Sequence, residues 1–154
     1  MDLLVRARAE VGLELAAQVE QVGAPGLDTA RVLARLRAAT IPGVEFTGVS
    51  FTPRSPGDDK FPDTRLRGIR LTVTDRGRYD PTATALWLLA AVQGHGASTS
   101  VWPASKDQIS RLLGNDPGPL VGLDTARVRS LLTDWARARD NFLLRRRPYL
   151  IYPD

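Results

Sequence analysis

The sequence predicts an α+β fold: a single domain in which a small, mostly antiparallel sheet packs with about four to five helices. Three observations predict it. Two strand-like segments, 44–51 and 65–74, follow one another with only a loop between them, so strands and helices do not alternate in the βαβ manner. The heptapeptide GLDTARV stands at both 26–32 and 122–128, and each copy reads as the start of a helix. A chain of 154 residues is long enough to bury one core and short for two domains.

In order along the chain, residues 2 to about 20 read as a weakly helical, amphipathic segment with Leu3, Leu4, Val11, Leu15 and Val19 on a loose face. GAPG at 23–26 breaks the chain. Asp28 then caps a helix that runs to about Ala39, its carboxylate accepting from the free N–H groups of the first turn. Leu27, just before the cap, and Val32, at the fourth helical position, have the spacing of a hydrophobic staple. The second copy places Leu123, Asp124 and Val128 in the same relation. Beyond the heptapeptide the two copies diverge at once, and a solenoid needs similarity over longer periods and more units. The copies are therefore one local instruction written twice rather than a duplicated unit.

IPG at 41–43 stops the first helix, and VEFTGVSF (44–51) is rich in strand formers. The segment 52–63 carries three prolines and a glycine and reads as a long surface loop. RLRGIRLTVT (65–74) alternates apolar residues with Arg and Thr, giving a strand with one buried face and a bulge at Gly68. After the turn at Asp75, Asp80 caps a helix with Pro81 at its first position, where the missing N–H costs nothing. Leu86, Leu89, Ala90 and Val92 give it a buried face. Ser105 and Gln108 form a capping box for a short helix carrying Ile109, Leu112 and Leu113, ended by Gly114 and Asn115. The last helix, from Asp124, places Val128, Leu131, Leu132, Trp135 and Phe142 on one core-facing stripe. Pro148 ends it, and YLIY (149–152) reads as a short extended core segment.

Composition narrows the function classes. Hydrophobic residues make up 43% and charged residues 25% of the chain, the balance of a globular protein. No apolar run approaches the roughly 18–20 residues of a bilayer span. The acid and charges of MDLLVRARAEVGLEL do not make a secretory signal, so the chain as written reads as cytoplasmic. With no cysteine and one histidine, His95 in a glycine-flanked loop, disulfides, thiolate metal sites and multi-histidine sites are excluded and no cofactor is expected. The net charge of +4 rests on 19 Arg and 2 Lys against 17 acids. These arginines are scattered among acids rather than gathered into a stripe, which makes nucleic-acid binding a minor expectation. The one run, Arg145 to Arg147, sits where a helix end favours cations. No catalytic constellation stands out: Asp58 and Asp59 are neighbours in a loop rather than a facing pair, and Asp75 and Asp80 read as turn and cap residues.

Taken in order, GAPGLD, IPGVEFTGVSFTP, RGIRLTVTDRGRYDP, LLGND and DWARARDNFLLRRRPYLIY resemble the C-terminal part of the NamZ exo-β-N-acetylmuramidases, over about residues 23–152. Those are glycoside hydrolases that remove terminal N-acetylmuramic acid from peptidoglycan fragments, and family members are often exported. The resemblance implies a missing Rossmann-like domain that carries the catalytic groups. It assigns residues 1–22 to the junction with that domain and 23–154 to the α+β domain. Where the family's junction carries an arginine motif, this chain has Gly12, Leu13, Glu14 and Leu15. No catalytic residue and no metal ligand is therefore expected here, and Phe51, Thr52, Lys60 and Arg70 stand as the candidate ligand-binding residues. The expected partners are a separate catalytic chain, a peptidoglycan-derived sugar, or a second copy docked through residues 1–22. The competing class is an adaptor that binds protein or nucleic acid through its arginines.

Overall fold

A computed structural model describes residues 20–54, 61–93, 118–120 and 122–152. Strand β1 (Gln21–Ala24) is followed by helix α1 (Thr29–Ala39), strands β2 (Val44–Phe51) and β3 (Leu66–Val73), helix α2 (Pro81–Gln93) and helix α3 (Thr125–Arg146). Single 3-10 turns occupy Gly118–Leu120 and Arg147–Tyr149. The sheet order is β1-β3-β2, with both pairs antiparallel. This is the expected α+β architecture. Three α-helices lie among the described residues; the two further helices expected at 2–20 and 105–113 fall outside them, as does His95.

Strand β1 is not announced by the sequence, because QVGA ends in what reads as a chain break. Its pairing is what the tertiary structure adds: Gly23 stands opposite Gly68, and Val22 opposite Ile69. Each glycine is closely covered. A Cβ on Gly68 would lie 2.5 Å from the Val22 carbonyl oxygen, and one on Gly23 would lie 2.8 Å from the Phe51 ring. Gly68 pairs in register with both neighbouring strands, so it marks a close approach of backbones, not the expected bulge.

The two copies of GLDTARV work as written and lead to two different cores. The Asp28 carboxylate accepts from Arg31 N at 3.0 Å, and that of Asp124 from Arg127 N at 2.8 Å. Gly26 and Gly122 both hold a positive φ, 70° and 66°, a backbone region open to glycine and strained for other residues. Leu27 and Val32 are buried in a cluster with Ala24, Leu36, Ile69, Ala91 and Val92, against the sheet. Leu123 and Val128 are buried with Leu86 and Ala90, on the far side of α2. Asp124→Ala is expected to lower stability by about 1 kcal/mol, read as a shift of the urea midpoint with an unchanged slope.

Helix α2 therefore lies between two cores. Ala91, Val92 and Leu88 face the first, Leu86, Ala90 and Leu89 the second, and Trp87 touches both. A helix apolar on all sides is a buried one. Its start follows the expected pattern: Asp80 Oδ1 accepts from Thr82 N and Ala83 N, with Pro81 at the first position. Asp75 holds the preceding turn through Gly77 N. Gly43 closes the other side of that turn with φ 73°, and a Cβ there would stand 2.5 Å from the Asp75 carbonyl oxygen.

Helix α3 departs from expectation in its second half. Val128 is buried and Leu131 and Leu132 pack against α2 as predicted, but Trp135 is 42% and Phe142 54% exposed. The tail is not an extended core segment either: it turns as a 3-10 helix through Tyr149, and Ile151 is 90% exposed. The reason is length. At about 1.5 Å per residue, α3 spans about 33 Å and α2 only about 20 Å, so the stripe outruns the helix that covers it.

Candidate functional site

Three elements meet at the beginning of α3. Gln93, the last residue of α2, holds the chain before α3 with both ends of its amide. Its Nε2 donates to the Leu120 carbonyl at 2.8 Å, while its Oε1 accepts from Gly122 N at 2.6 Å and Leu123 N at 3.2 Å. The first turn of α3 is thereby set beside Ala90 and Ala91. From α1, the Arg35 guanidinium reaches the same place and donates from Nη1 to the Ala91 carbonyl at 3.4 Å. That carbonyl lies in the last turn of α2, where backbone acceptors lack helical partners and the helix dipole favours a cation.

Between these groups lies an open depression of about 210 Å³, lined by Arg35, Trp87, Ala90, Ala91, Leu123, Asp124 and Thr125. Its chemistry is mixed: a guanidinium, an indole, a hydroxyl and one carboxylate. The carboxylate of Asp124 is already engaged as the cap of α3. Pockets that enclose a whole small ligand run to roughly 300–1,000 Å³, so this one suits one end of a ligand. A guanidinium beside an aromatic ring can take a carboxylate and the apolar edge next to it. Among the described residues the depression offers one carboxylate, not the facing pair that hydrolyses a glycosidic bond. Among the described residues no group of three metal-ligating side chains occurs, and no helix is long and apolar enough to cross a membrane.

The residues singled out from the sequence lie elsewhere. Phe51 lays its ring over Gly23 and Gly68 and is half-buried. Thr52 is exposed just after it. Arg70 is exposed on the same face of the sheet, opposite Thr47 and Gln21. Phe51 pairs with Leu66, four positions away along β3, which is about 13 Å at strand rise. Lys60 lies outside the described residues. The fold thus puts Phe51 and Arg70 on one face without joining them, and none of the described three lines the depression. Arg35, Trp87 and Asp124 come from three separate elements, and no local pattern marks them as neighbours.

The fold and the site define an α+β domain with a three-stranded antiparallel sheet and a shallow, polar-edged depression, its described turn and cap carboxylates hydrogen-bonded to backbone. Comparison with known proteins gives the family. The model of the C-terminal region of the exo-β-N-acetylmuramidase NamZ matches residues 7–152, and the chain belongs to that family. It is 25% identical over 138 residues to the peptidoglycan β-N-acetylmuramidase NamZ of Bacillus subtilis (strain 168), covering 86% of this chain and 31% of that protein. The crystal structure of a DUF1343 family protein from Bacteroides fragilis NCTC 9343 shares the fold, with a TM-score of 0.71 at 16% identity over 99% of this chain and 39% of that one. The chain therefore spans between three and four tenths of the length of these relatives.

Proposed function

We propose that this domain serves a peptidoglycan-sugar hydrolase as its non-catalytic part, while the reacting groups lie on polypeptide that this chain does not span. One observation carries the reading: the match is to the C-terminal region of the muramidase family, and 31% of the Bacillus relative is covered. The fate of the carboxylates supports it. Asp28, Asp75, Asp80 and Asp124 each accept hydrogen bonds from backbone N–H groups of a turn or helix start, work that leaves them badly placed as acid and base.

The contribution to sugar binding is made at the depression. There Arg35 offers a guanidinium to the carboxylate of a muramic acid residue, and Trp87 offers an apolar surface to its ring. The described arginines are spread over α1, β3, the turn after β3 and α3, so nucleic acid is held only weakly and salt strips it off.

The purified chain is expected to release no N-acetylmuramic acid from a chromogenic muramide. Turnover by homogeneous protein would overturn the non-catalytic reading. In the same preparation, titration with muropeptide should change the tryptophan fluorescence in a saturable way, and Arg35→Met should weaken that change by roughly tenfold in affinity. An unaltered titration of the variant would remove the depression as the sugar contact.

A further inference from the structure

The two GLDTARV copies build the same helix start, but they stand in different surroundings. Asp124 lines the depression together with Arg35 and Trp87, and Asp28 is not among the lining residues. The cap of α3 uses one oxygen of Asp124: Oδ1 accepts from Arg127 N at 2.8 Å. Among the described residues Oδ2 has no hydrogen-bond partner, and the residue is exposed. Arg35 is engaged as lightly. It spends one N–H on the Ala91 carbonyl, at a long 3.4 Å, and a guanidinium has further donors to give. The two groups are opposite in charge and line one space of about 210 Å³, yet among the described residues they form no ion pair with each other. Unlike charges held apart across one depression suit a ligand that brings an acceptor to one and a donor to the other.

We propose that Asp124 is a ligand-binding residue of the sugar site, its Oδ2 accepting a hydrogen bond from the sugar while Arg35 holds the carboxylate. This rests on the reading of the depression as a muramic acid contact. The chemistry of that sugar supplies the donor. The ring carbon that bears the lactyl ether lies between one bearing an acetamido N–H and one bearing a hydroxyl, so a donor stands on either side of the carboxylate arm. A cavity of about 150 Å³ holds a benzene ring, and the depression therefore has room for one sugar ring beside Trp87, Ala90 and Ala91. Arg35 alone would take any carboxylate. Asp124 adds the demand for a donor next to it, and two contacts of opposite polarity fix which way round the ring sits. The cap serves this second role as well: with Oδ1 held by Arg127 N, the carboxylate is already ordered, and little is lost in fixing it on binding.

Calorimetric titration of the whole chain with N-acetylmuramic acid tests it. Asp124→Asn keeps the cap, since Asn caps a helix as well as Asp does, but presents an amide donor where the ligand needs an acceptor. Asp124→Ser also keeps the cap and removes the second oxygen. Both should bind the sugar roughly tenfold more weakly than the parent, with helical circular dichroism retained. Asp28→Asn, the same change at the other cap, should bind as the parent does. In the parent, the 4-O-methyl ether of the sugar tells the two donors apart: weaker binding assigns the hydroxyl, unchanged binding the acetamido N–H. Full affinity in both Asp124 variants overturns the proposal, and if Arg35→Met is weakened in the same titrations the sugar reading stands without it. Equal weakening in Asp28→Asn overturns it too, because the effect then belongs to helix capping. A parent that binds no N-acetylmuramic acid overturns both the proposal and the sugar reading.

Discussion

Gly68→Ala is expected to cost about 3 kcal/mol of folding stability, because it places a methyl where two strands close on each other. The added methyl would stand 2.5 Å from the Val22 carbonyl oxygen and 2.8 Å from the Phe51 ring. The ring can rotate away, but the carbonyl belongs to the neighbouring strand and moves only if β1 separates from β3. Ile69 and Val22 pair beside it, and Ile69 reaches the core against α1, so separation loosens that core too. Urea unfolding of the variant should show a lower midpoint, and hydrogen exchange should quicken first in β1. Phe51→Ala added to Gly68→Ala should recover only the ring's share of the cost, because the carbonyl remains. Full recovery in the double variant would show that the ring, not the strand spacing, is the constraint. The same pairing explains Phe51 without a ligand: an aromatic ring spread over two facing glycines supplies the packing that they lack.

Gln93→Leu ranks second, at about 2–3 kcal/mol. The amide holds one carbonyl and two N–H groups of the 120–123 segment, and an apolar replacement leaves all three without that partner. The damage should be local. Leu123 would no longer be held against Val128, so the first turn of α3 would fray and the depression around Asp124 would lose its shape. Gln93→Glu separates the two halves of the clamp. A carboxylate still accepts from Gly122 N and Leu123 N but cannot donate to the Leu120 carbonyl. Gln93→Glu should therefore cost less than Gln93→Leu, because it keeps the two N–H bonds, and should remain less stable than the parent by the share of the Leu120 bond. A Gln93→Glu variant as stable as the parent would mean that the Leu120 bond contributes little.

Much of this protein is legible in the chain itself, and what is legible is local. Caps, staples, stops and strand alternation depend on residues within a few positions of one another. The sequence therefore yields α1, β2, β3, α2 and the start of α3 close to their observed limits, and the order of its motifs yields the family. The features that need the tertiary structure depend on distant residues. Strand β1 exists because β3 offers Gly68 and Ile69 as partners, and nothing inside QVGA announces it. The depression exists because Arg35, Trp87 and Asp124 converge from three helices. Trp135 and Phe142 lie on a stripe that periodicity alone assigns to a core. Periodicity tells which side of a helix is apolar, but not how far the covering element extends, and α2 ends too soon to bury them.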